Sequence, residues 1–498
     1  MSCIMSTARS CWSETMTTPF TEQDLAAIEQ REIPVAEAVR QFELLKSGAS
    51  FIRLERPCTP GDGILRLTPE ENTDLLVAFD EAVSRFTRFV PASGAASRMF
   101  AGLFPDNLDS DRINQLRHNL ESFPFYPVLC RVAEKPLFEL DDEQLVTLLL
   151  TESGLGLAGK PKGLLPLHRG EGYNRTAFAE HLHEGGALNI NRFHFTVSPE
   201  HRAMFDQQLQ QVTGELGKSP EVGFSIQHPQ TDTIALDLES GLPLHDEAGN
   251  LVFRPAGHGA LLTNLEQCDG DLVLIRNIDN VAPEHLQSPY RDWTRLLGGL
   301  LVDTQKQVFH WLELLDQAPG AEELAAAATF TEQTFGRRVD ENVLGEQLID
   351  QLRHLLDRPI RICGMVPVSG HPGGGPFWTG DAVGQVSPQI IEGVQIDPDD
   401  EQQQELLAAS THFNPVNIAC SLRDRHGKPY RLQEMVDEKT SLVTGKSLGG
   451  RDLLALERPG LWNGSMSGWN TIFIELPDAT FNPVKTVFDL LQPSHRPL

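Results

Sequence analysis

The pattern of apolar and polar positions divides the chain into two kinds of segment. The first eighty or so residues have the pattern of helices, with Pro34 before and Gly48 after VAEAVRQFELLKS, the usual placement of proline and glycine around a helix. From residue 86 onward, short apolar runs rich in β-forming residues alternate with polar segments of helical length. Buried strands separated by helices predict a mixed α/β sheet, mostly parallel and flanked by helices. The six runs that predict strands are 87–93, 192–198, 221–227, 251–255, 271–278 and 360–368.

The same pattern predicts the domain organisation. No Pro- or Ser-rich tether isolates the last hundred residues, so we expect their strand candidates, near 413–420, 430–436 and 469–476, to pack on the same sheet. Further helices are expected at 291–316, 321–330 and 341–357. The expected divisions are 1–15, disordered; 16–85, an N-terminal helical extension; 86–400, the core, with a helical insertion at 101–155; and 401–498, a C-terminal part packed on the core.

The charge balance excludes one class of partner. The chain has 41 Lys and Arg side chains against 69 Asp and Glu, a formal net charge of −28. Binding to DNA or RNA depends mostly on cationic side chains that neutralise phosphates, so we expect no nucleic-acid partner. Any anionic ligand must therefore meet a local basic pocket or a metal ion.

Cysteine usage and hydropathy indicate the compartment. The seven cysteines are scattered and form no C-x-x-C pair, which favours a reducing environment. No apolar run approaches the ~18–20 residues needed to cross a bilayer. The N-terminus lacks the apolar stretch of a signal peptide, and translation could start at Met1 or Met16. We expect a cytoplasmic protein with no membrane partner, and the oligomeric state stays open.

A first candidate site follows the strand predicted at 87–93. The strand leads directly into Gly94-Ala95-Ala96-Ser97-Arg98. A strand, a turn of small residues and a helix bring backbone N–H groups up to a phosphate, and Arg98 could hold that phosphate. The alternative is that the small residues only let a helix pack closely on the strand.

A second candidate site is a glycine-rich turn at 154–159, which precedes Lys160-Pro161-Lys162. In a chain this acidic, a glycine-rich turn that places Lys162 at a strand end indicates an anion site. A basic surface turn is the alternative.

Polar residues also follow the strands predicted at 251–255 and 271–278. Gly257 and His258 follow the first, and Asp279 follows the second. Ligands of open α/β sheets bind outside the carboxyl ends of the strands. A carboxylate there suits Mg²⁺, which binds through one or two carboxylates plus substrate phosphates. The alternatives are a helix N-cap for Asp279 and a packing role for His258.

These segments together resemble a known family. In order, PASGAASRMF, KPKGLLPL, PAGHG and NIDN are similar to motifs of the UTP–sugar-1-phosphate uridylyltransferases, the UDP-glucose and UDP-N-acetylhexosamine pyrophosphorylases. Three later segments extend the resemblance: GQVSPQIIEGVQID, HFNPVNIACSL and FNPVKTVFDLL. The full-length chain also resembles a bacterial family known only as a domain of unknown function.

The resemblance implies a GT-A-like nucleotidyltransferase fold, with a nucleoside triphosphate and a sugar phosphate as partners. The implied reaction transfers a uridylyl group from UTP to a sugar-1-phosphate and releases pyrophosphate. The implied roles are Gly94 and Ala95 on the nucleotide; Arg98 and Lys162 on the triphosphate; Gln227, Gly257 and His258 on the uracil edge; Asp279 on Mg²⁺; Glu392 on the sugar hydroxyls; Asn417 on the hexose phosphate; and Lys485 on the phosphate being attacked.

Two departures from the family pattern keep an alternative open. Ala96 replaces the second glycine of the family's G-G-x-G-T-R turn, and 64 residues separate Arg98 from Lys162, which the family joins almost directly. A catalytically inactive nucleotide-sugar sensor or scaffold is therefore the alternative function. A glycosyltransferase would need a D-x-D metal motif, to which Asp237-Leu238-Glu239 is the nearest match.

Overall fold

The computed structural model describes residues 18–48, 50–170, 172–317, 319–340, 342–368, 373–380 and 384–496, so the prediction for residues 1–15 lies outside the described residues. By their mutual contacts, the described residues form two compact units. The chain enters the smaller unit three times, a grouping that differs from the predicted divisions. The smaller unit contains the described residues up to Ser50, His228–Gly257 and Ser441–Arg458, and the larger contains Phe51–Gln227, His258–Thr440 and the residues from Pro459 onward.

The secondary structure alternates between helices and strands through most of the described chain. The helices are α1 Glu22–Gln30, α2 Val35–Ser47, α3 Thr73–Ala82, α4 Ser110–His118, α5 Tyr126–Val132, α6 Asp142–Leu150, α7 Ala177–Ala187, α8 Arg202–Leu216, α9 Leu262–Glu266, α10 Ser288–Leu315, α11 Ala321–Phe335, α12 Glu346–Leu356 and α13 Glu401–Ala408. The strands are β1 Leu54–Pro57, β2 Thr59–Pro60, β3 Gly63–Leu65, β4 Phe86–Pro91, β5 Leu103–Phe104, β6 Asn107–Leu108, β7 Pro166–Gly170, β8 Tyr173–Thr176, β9 Arg192–Thr196, β10 Glu221–Ser225, β11 Thr233–Asp237, β12 Phe253–Arg254, β13 Leu272–Arg276, β14 Ile360–Pro367, β15 Gly375–Gly380, β16 Val386–Ile391, β17 His412–Phe413, β18 Asn417–Ser421, β19 Leu442–Leu448, β20 Arg451–Glu457 and β21 Asn470–Glu475.

The larger unit is built on a sheet that has ten strands in the described part of the chain. Its order is β10-β9-β4-β13-β18-β14-β21-β3-β2, and β17 pairs with β14 beside this path. Neighbours are parallel, except that β18 is antiparallel to both β13 and β14, and β17 is antiparallel to β14. The prediction of a mixed, mostly parallel sheet is confirmed. The carboxyl ends of the parallel strands and the amino end of β18 therefore lie at one edge, where such sheets bind ligands.

Glycines let a long helix approach its neighbour closely. α10 packs against α3 and also against β14 and β18. A Cβ atom at Gly299 would lie 1.8 Å from the carbonyl oxygen of Leu75, and one at Gly298 would lie 2.5 Å from the ring of Phe79. Only glycine permits this approach, because real Cβ contacts do not come so close.

The smaller unit is an antiparallel sheet with two helices packed on it. Its strand order is β12-β11-β20-β19, and its core joins Ile28 and Phe42 of the helices to Ile234 and Leu456 of the strands. The helix expected between Pro34 and Gly48 is present, and it ends at Gly48 with φ of 80°. None of the helices within the described ranges is both long and apolar enough to span a bilayer.

Some expected elements differ in the structure. The strand expected at 430–436 is wrong, because Leu432–Met435 form a 3₁₀ turn in which Leu432 N–H donates to Glu266 Oε1. The hairpin β19–β20 was not predicted from the sequence. Strands also occur at 54–65, inside the segment expected to be helical, because distant partners, β15 and β21, complete their hydrogen bonding.

Candidate functional site

The first two candidate loops lie side by side at the carboxyl end of β4. Ala96 N–H donates to the carbonyl oxygen of Lys160 over 3.1 Å, and Lys162 N–H donates to that of Gly94 over 2.9 Å. The 64-residue separation in sequence therefore leaves the two loops adjacent in space. Ala96 is buried and has φ of −82°, an ordinary value for alanine, so the missing family glycine does not strain the turn.

The side of this turn that faces solvent is available to a ligand. Gly94, Ala95 and Arg98 are all exposed. A Cβ atom at Gly94 would meet no heavy atom within 4 Å, so packing in the described structure does not require glycine there. Among the described residues, Arg98 makes no ion pair, so its guanidinium is available to an anion.

Lys162, Asp279 and Lys485 meet at one point. Asp279 Oδ2 accepts from Lys162 Nζ over 2.9 Å and from Lys485 Nζ over 3.2 Å. Lys162 Nζ also donates to the carbonyl oxygen of Val484 over 3.1 Å. The Asp279 side chain is 9% exposed and that of Lys162 16%, whereas that of Lys485 is 56% exposed. Three segments that are far apart in sequence thus bring two positive charges and one negative charge together.

The electrostatics of this cluster favour an anionic ligand. Burial raises the pKa of the Asp279 carboxyl, but the charges of Lys162 and Lys485 outweigh this effect and hold its pKa below the ordinary value. Asp279 is therefore ionised at neutral pH and balances one of the two ammonium groups. The remaining positive charge attracts an anion in a chain that is otherwise strongly acidic.

A hydrogen-bond network positions the segment that contains Lys485. Val484 N–H donates to the carbonyl oxygen of Asp279 over 3.0 Å, and Asn482 N–H donates to Asn280 Oδ1 over 3.0 Å. The hydroxyl of Tyr290 donates to Asn280 Oδ1 over 3.3 Å and accepts from Asn482 Nδ2 over 2.8 Å. No local sequence pattern relates α10 to the C-terminal segment, so neither Tyr290 nor Asn482 was predicted from the sequence.

Asn417 borders the same cluster. It is the first residue of β18, where it lies opposite Arg276, the last residue of β13. Its Nδ2 donates to the carbonyl oxygen of Thr480 over 3.4 Å, and Asn280 Nδ2 donates to the same oxygen over 3.4 Å. The residue predicted to contact the hexose phosphate therefore shares a hydrogen-bond acceptor with the residue that follows Asp279.

A buried ionic triad lies beneath the loop that contains Asp279. Arg276 Nη1 donates to both oxygens of Glu184 over 2.7 and 2.8 Å, and Arg88 Nη2 donates to Glu184 Oε1 over 3.0 Å. Burial alone would raise the pKa of Glu184. The charges of the two guanidinium groups outweigh this effect and lower the pKa to about 2. His181 Nε2 donates to the carbonyl oxygen of Ile278 over 3.3 Å, which connects this buried region to the residue before Asp279.

A second group of predicted residues contains His258 and Glu392. His258 Nε2 lies 3.9 Å from Glu392 Oε1, and His258 Nδ1 accepts from Leu461 N–H over 2.9 Å. Glu392 caps the short turn Gly393–Gln395, with its N–H donating to Gln395 Oε1 over 2.9 Å. The predicted uracil-edge and sugar residues therefore adjoin, although they are far apart in sequence.

The remaining predicted nucleotide residues lie at element ends. Gln227 is half-buried just after β10, whose end is held by Asn264 Nδ2 donating to the carbonyl oxygen of Ile226 over 2.9 Å. Asn264 lies in α9, soon after His258. Gly257 belongs to the smaller unit and has φ of 75°, and its contact with the uracil edge stays a prediction.

The described residues at the site supply one carboxylate for a metal ion. Within the described ranges, no group of three or more His, Cys, Asp or Glu residues could hold a metal ion. Asp279 fits Mg²⁺ as the single protein carboxylate of an ion that takes its other ligands from phosphates and water.

Together, the sheet and the residues at its edge define a mixed α/β protein with a cluster of cationic side chains at the carboxyl ends of its strands. Over residues 21–496, the chain matches the family described as "Domain of unknown function (DUF4301)", and it belongs to that family. No curated protein sequence matches the chain.

Solved structures of UDP-sugar pyrophosphorylases resemble this fold at low sequence identity. The uridine diphosphate N-acetylglucosamine pyrophosphorylase from Trypanosoma brucei, in complex with an inhibitor, has a TM-score of 0.50 and 12% identity over 95% of this chain and 79% of that chain. A mutant UDP-glucose pyrophosphorylase from Leishmania major in complex with UDP-glucose has a TM-score of 0.46 and 10% identity over 97% and 82%. The UDP-glucose phosphorylase of Trypanosoma brucei has a TM-score of 0.45 and 14% identity over 95% and 80%.

Proposed function

We propose that this protein is a nucleotidyltransferase that transfers a uridylyl group from UTP to a sugar-1-phosphate. The main observation in support is the meeting of Lys162, Asp279 and Lys485 beside the loop that contains Arg98. On this proposal the sheet is a GT-A-like nucleotidyltransferase fold. The T. brucei pyrophosphorylase with the TM-score of 0.50 supports the fold alone, because its identity is only 12%.

In the proposed reaction, an oxygen of the sugar-1-phosphate attacks the α-phosphorus of UTP. The new O–P bond forms as the bond between the α-phosphorus and the bridging oxygen breaks, and the electron pair leaves with pyrophosphate. Catalysis of this kind comes from alignment of the two anions and from neutralisation of charge on the phosphoryl oxygens. Arg98, Lys162 and Lys485 would bind these oxygens.

The ion pairs of the cluster suggest how the substrate enters. Lys485 is exposed and shares Asp279 with Lys162, so phosphate oxygens can compete with the carboxylate for both ammonium groups. A bound polyphosphate would thereby release the Asp279 carboxylate for Mg²⁺. When bound, Mg²⁺ would neutralise phosphate charge.

The predicted roles of the other residues complete the proposal. Gly94 and Ala95 would line the nucleotide, because their exposed backbone leaves room for close approach. Gln227 and His258 would contact the uracil edge, Glu392 the sugar hydroxyls and Asn417 the hexose phosphate. A cytoplasmic location stays a prediction.

The sensor alternative was based on Ala96 and on the separation of Arg98 from Lys162. Ala96 has an ordinary backbone conformation, and the loops that contain Arg98 and Lys162 are hydrogen-bonded to each other. Neither departure therefore weakens the site geometrically, and we favour the enzyme.

A ligand screen followed by a turnover assay tests the proposal. Thermal melting is measured with UTP, the other nucleoside triphosphates and UDP-sugars, each with and without Mg²⁺. Ligand at 100 times its Kd stabilises the folded protein by about 2.7 kcal/mol, so UTP should raise Tm clearly. Pyrophosphate release from UTP with a panel of sugar-1-phosphates then separates enzyme from sensor. Binding without release for every sugar phosphate would favour the sensor, and no binding of any nucleotide would overturn both.

A further inference from the structure

The loop 459–467 packs against the group formed by His258 and Glu392. The ring of Trp462 stacks on that of His258, with 4.2 Å between centroids and 17° between planes. Asn463 Nδ2 donates to Glu392 Oε1 over 2.6 Å. A Cβ atom at Gly460 would lie 2.6 Å from His258 Cε1, so glycine is needed for the loop to lie this close. No role was predicted for this loop from the sequence.

Polar atoms in this cluster have unused hydrogen-bonding capacity. The Asn463 side chain is 4% exposed, and its Oδ1 has no hydrogen-bond partner in the described part of the chain. Because Leu461 N–H donates to His258 Nδ1, the proton of the neutral ring is on Nε2. That N–H lies 3.9 Å from Glu392 Oε1, too far for a hydrogen bond. Buried polar groups are normally satisfied, so the unpaired Asn463 Oδ1 indicates a ligand that donates a hydrogen bond. The His258 side chain is 32% exposed, so its Nε2–H is available to a ligand hydroxyl group.

A buried cation holds the loop in place. Arg361 is fully buried, and its Nη1 donates to the carbonyl oxygen of Trp462 over 2.7 Å. Its other bonds go to Thr471 Oγ1 over 2.8 Å and Gln389 Oε1 over 3.1 Å, and it has no carboxylate partner among the described residues. The loop backbone therefore receives one of the few hydrogen bonds that a buried guanidinium makes here, which fixes Trp462 and Asn463 before any ligand arrives.

We propose that Trp462 and Asn463, together with Glu392 and the Nε2–H of His258, form a subsite for the pyranose ring of the sugar substrate. This proposal rests on the proposed function, adds Trp462 and Asn463 to it, and moves His258 from the uracil edge to the sugar ring. A pyranose has an apolar C–H face that suits a half-buried indole, and its hydroxyl groups both donate and accept hydrogen bonds. The cluster offers a carboxylate and an amide oxygen as acceptors and an imidazole N–H as donor, a complementary set.

The test compares the binding of ligands with and without a sugar ring. Isothermal titration calorimetry measures Kd for UTP, UDP, UDP-glucose and UDP-N-acetylglucosamine with the wild type, Asn463→Ala and Trp462→Ala. We expect each variant to raise the Kd of the more tightly bound UDP-sugar at least tenfold. The Kd values of UTP and UDP should change by less than twofold. Trp462→Phe keeps an aromatic ring and should recover most of the affinity.

A matched control removes an asparagine elsewhere. Asn174 is exposed and donates from Nδ2 to the carbonyl oxygen of Pro124 over 2.9 Å, so Asn174→Ala should leave all four Kd values unchanged. Because Asn463 is buried, each variant is first checked by thermal melting. If the alanine variants do not fold, selective weakening of UDP-sugar binding by Asn463→Ser decides the test.

The outcomes separate this inference from the proposed function. If the wild type binds none of the four ligands, the proposed function fails, and the subsite fails with it. A second outcome is that the wild type binds the ligands while the variants lose affinity for UDP and UDP-sugar equally, or lose affinity for neither. Either result overturns the subsite and leaves the proposed function standing.

Discussion

Two carboxylates in the larger unit each hold two cations, but their surroundings differ. The side chains of Glu184 and its partners Arg88 and Arg276 are all at most 5% exposed. Asp279 is also buried, but its partners Lys162 and Lys485 are 16% and 56% exposed. The guanidinium groups are enclosed with their carboxylate, whereas an incoming anion can reach the lysines.

The chemistry of the cations matches this difference. A guanidinium carries its donors in a fixed planar arrangement, and here Nη1 of Arg276 donates to both oxygens of Glu184. An ammonium group on a flexible stem can exchange one oxygen partner for another. On the proposed function, the same charge pattern is permanent support at Glu184 and an exchangeable ligand site at Asp279.

The largest expected effect is the loss of stability on removal of the buried charge. Glu184→Gln would leave two buried guanidinium groups without a counter-charge, and we expect the free energy of unfolding to fall by about 3–5 kcal/mol. Urea denaturation measures this. Asp279→Asn is the matched comparison, and we expect it to cost about 1–2 kcal/mol because its cations reach solvent. An equal loss of unfolding free energy in the two variants would contradict the distinction between Glu184 as structural support and Asp279 as part of the site.

The second prediction concerns turnover. Lys485→Ala should lower the rate of pyrophosphate release by about 10²–10³-fold, the effect of removing one donor that stabilises transition-state charge. The free energy of unfolding should change by no more than about 0.5 kcal/mol, since the side chain is 56% exposed. Lys446→Ala removes an exposed lysine from β19 and should change neither quantity. Turnover like that of the wild type would remove Lys485 from the mechanism.

His181, beside the buried triad, contributes to the pH dependence of stability. Burial, together with the charges of Arg88 and Arg276, lowers the pKa of His181 to about 3, against about 6.5 in an unfolded chain. Between these values, only the unfolded chain binds a proton on this residue. The contribution of His181 to the free energy of unfolding therefore decreases as pH falls, by at most about 1.4 kcal/mol per pH unit.

Replacement of His181 by glutamine tests this slope. His181→Gln keeps a donor for the carbonyl oxygen of Ile278 but removes the titration, so the decrease between pH 7 and pH 5 should be smaller than in the wild type. Glu184 does not contribute in this range, because its pKa of about 2 affects stability only below about pH 4.5. Burial raises the pKa of Glu180 to about 8, so Glu180 opposes the decrease, but it is present in both proteins and cancels from the difference between them. Identical slopes in the variant and the wild type would show that His181 does not titrate this way.

The smallest expected effect comes from the network that positions Lys485. Tyr290→Phe removes a hydroxyl that bonds both Asn280 and Asn482, at a cost of about 1 kcal/mol in the free energy of unfolding. We expect kcat to fall a few-fold with KM for UTP nearly unchanged, because the lysine is still present but less well placed. Tyr126→Phe removes a hydroxyl that bonds Glu121 and should leave kcat unchanged. A rise in KM alone would argue against a positioning role.

Local pattern predicted most of the strands that form the site edge. β4, β9, β10, β13, β14 and β21 all lie within or beside runs identified by their apolar and β-forming residues. Each of these strands is short and continuous, so neighbouring residues contain the information. The strand predicted at 430–436 was wrong because its one buried apolar residue, Leu432, lies in a turn whose hydrogen-bond partner, Glu266, is distant in sequence.

The sequence by itself determined the alternation of helices and strands, the excess of acidic residues and the residue types at the strand ends. Only the tertiary structure decided which of these residues meet. Lys162 is 117 residues and Lys485 206 residues from Asp279, and Tyr290 and Trp462 have no local motif that marks them. The physical reason is that hydrophobic periodicity is a property of neighbouring residues, whereas a binding site depends on contacts that form when distant strands pair and their ends come together at one edge of the sheet.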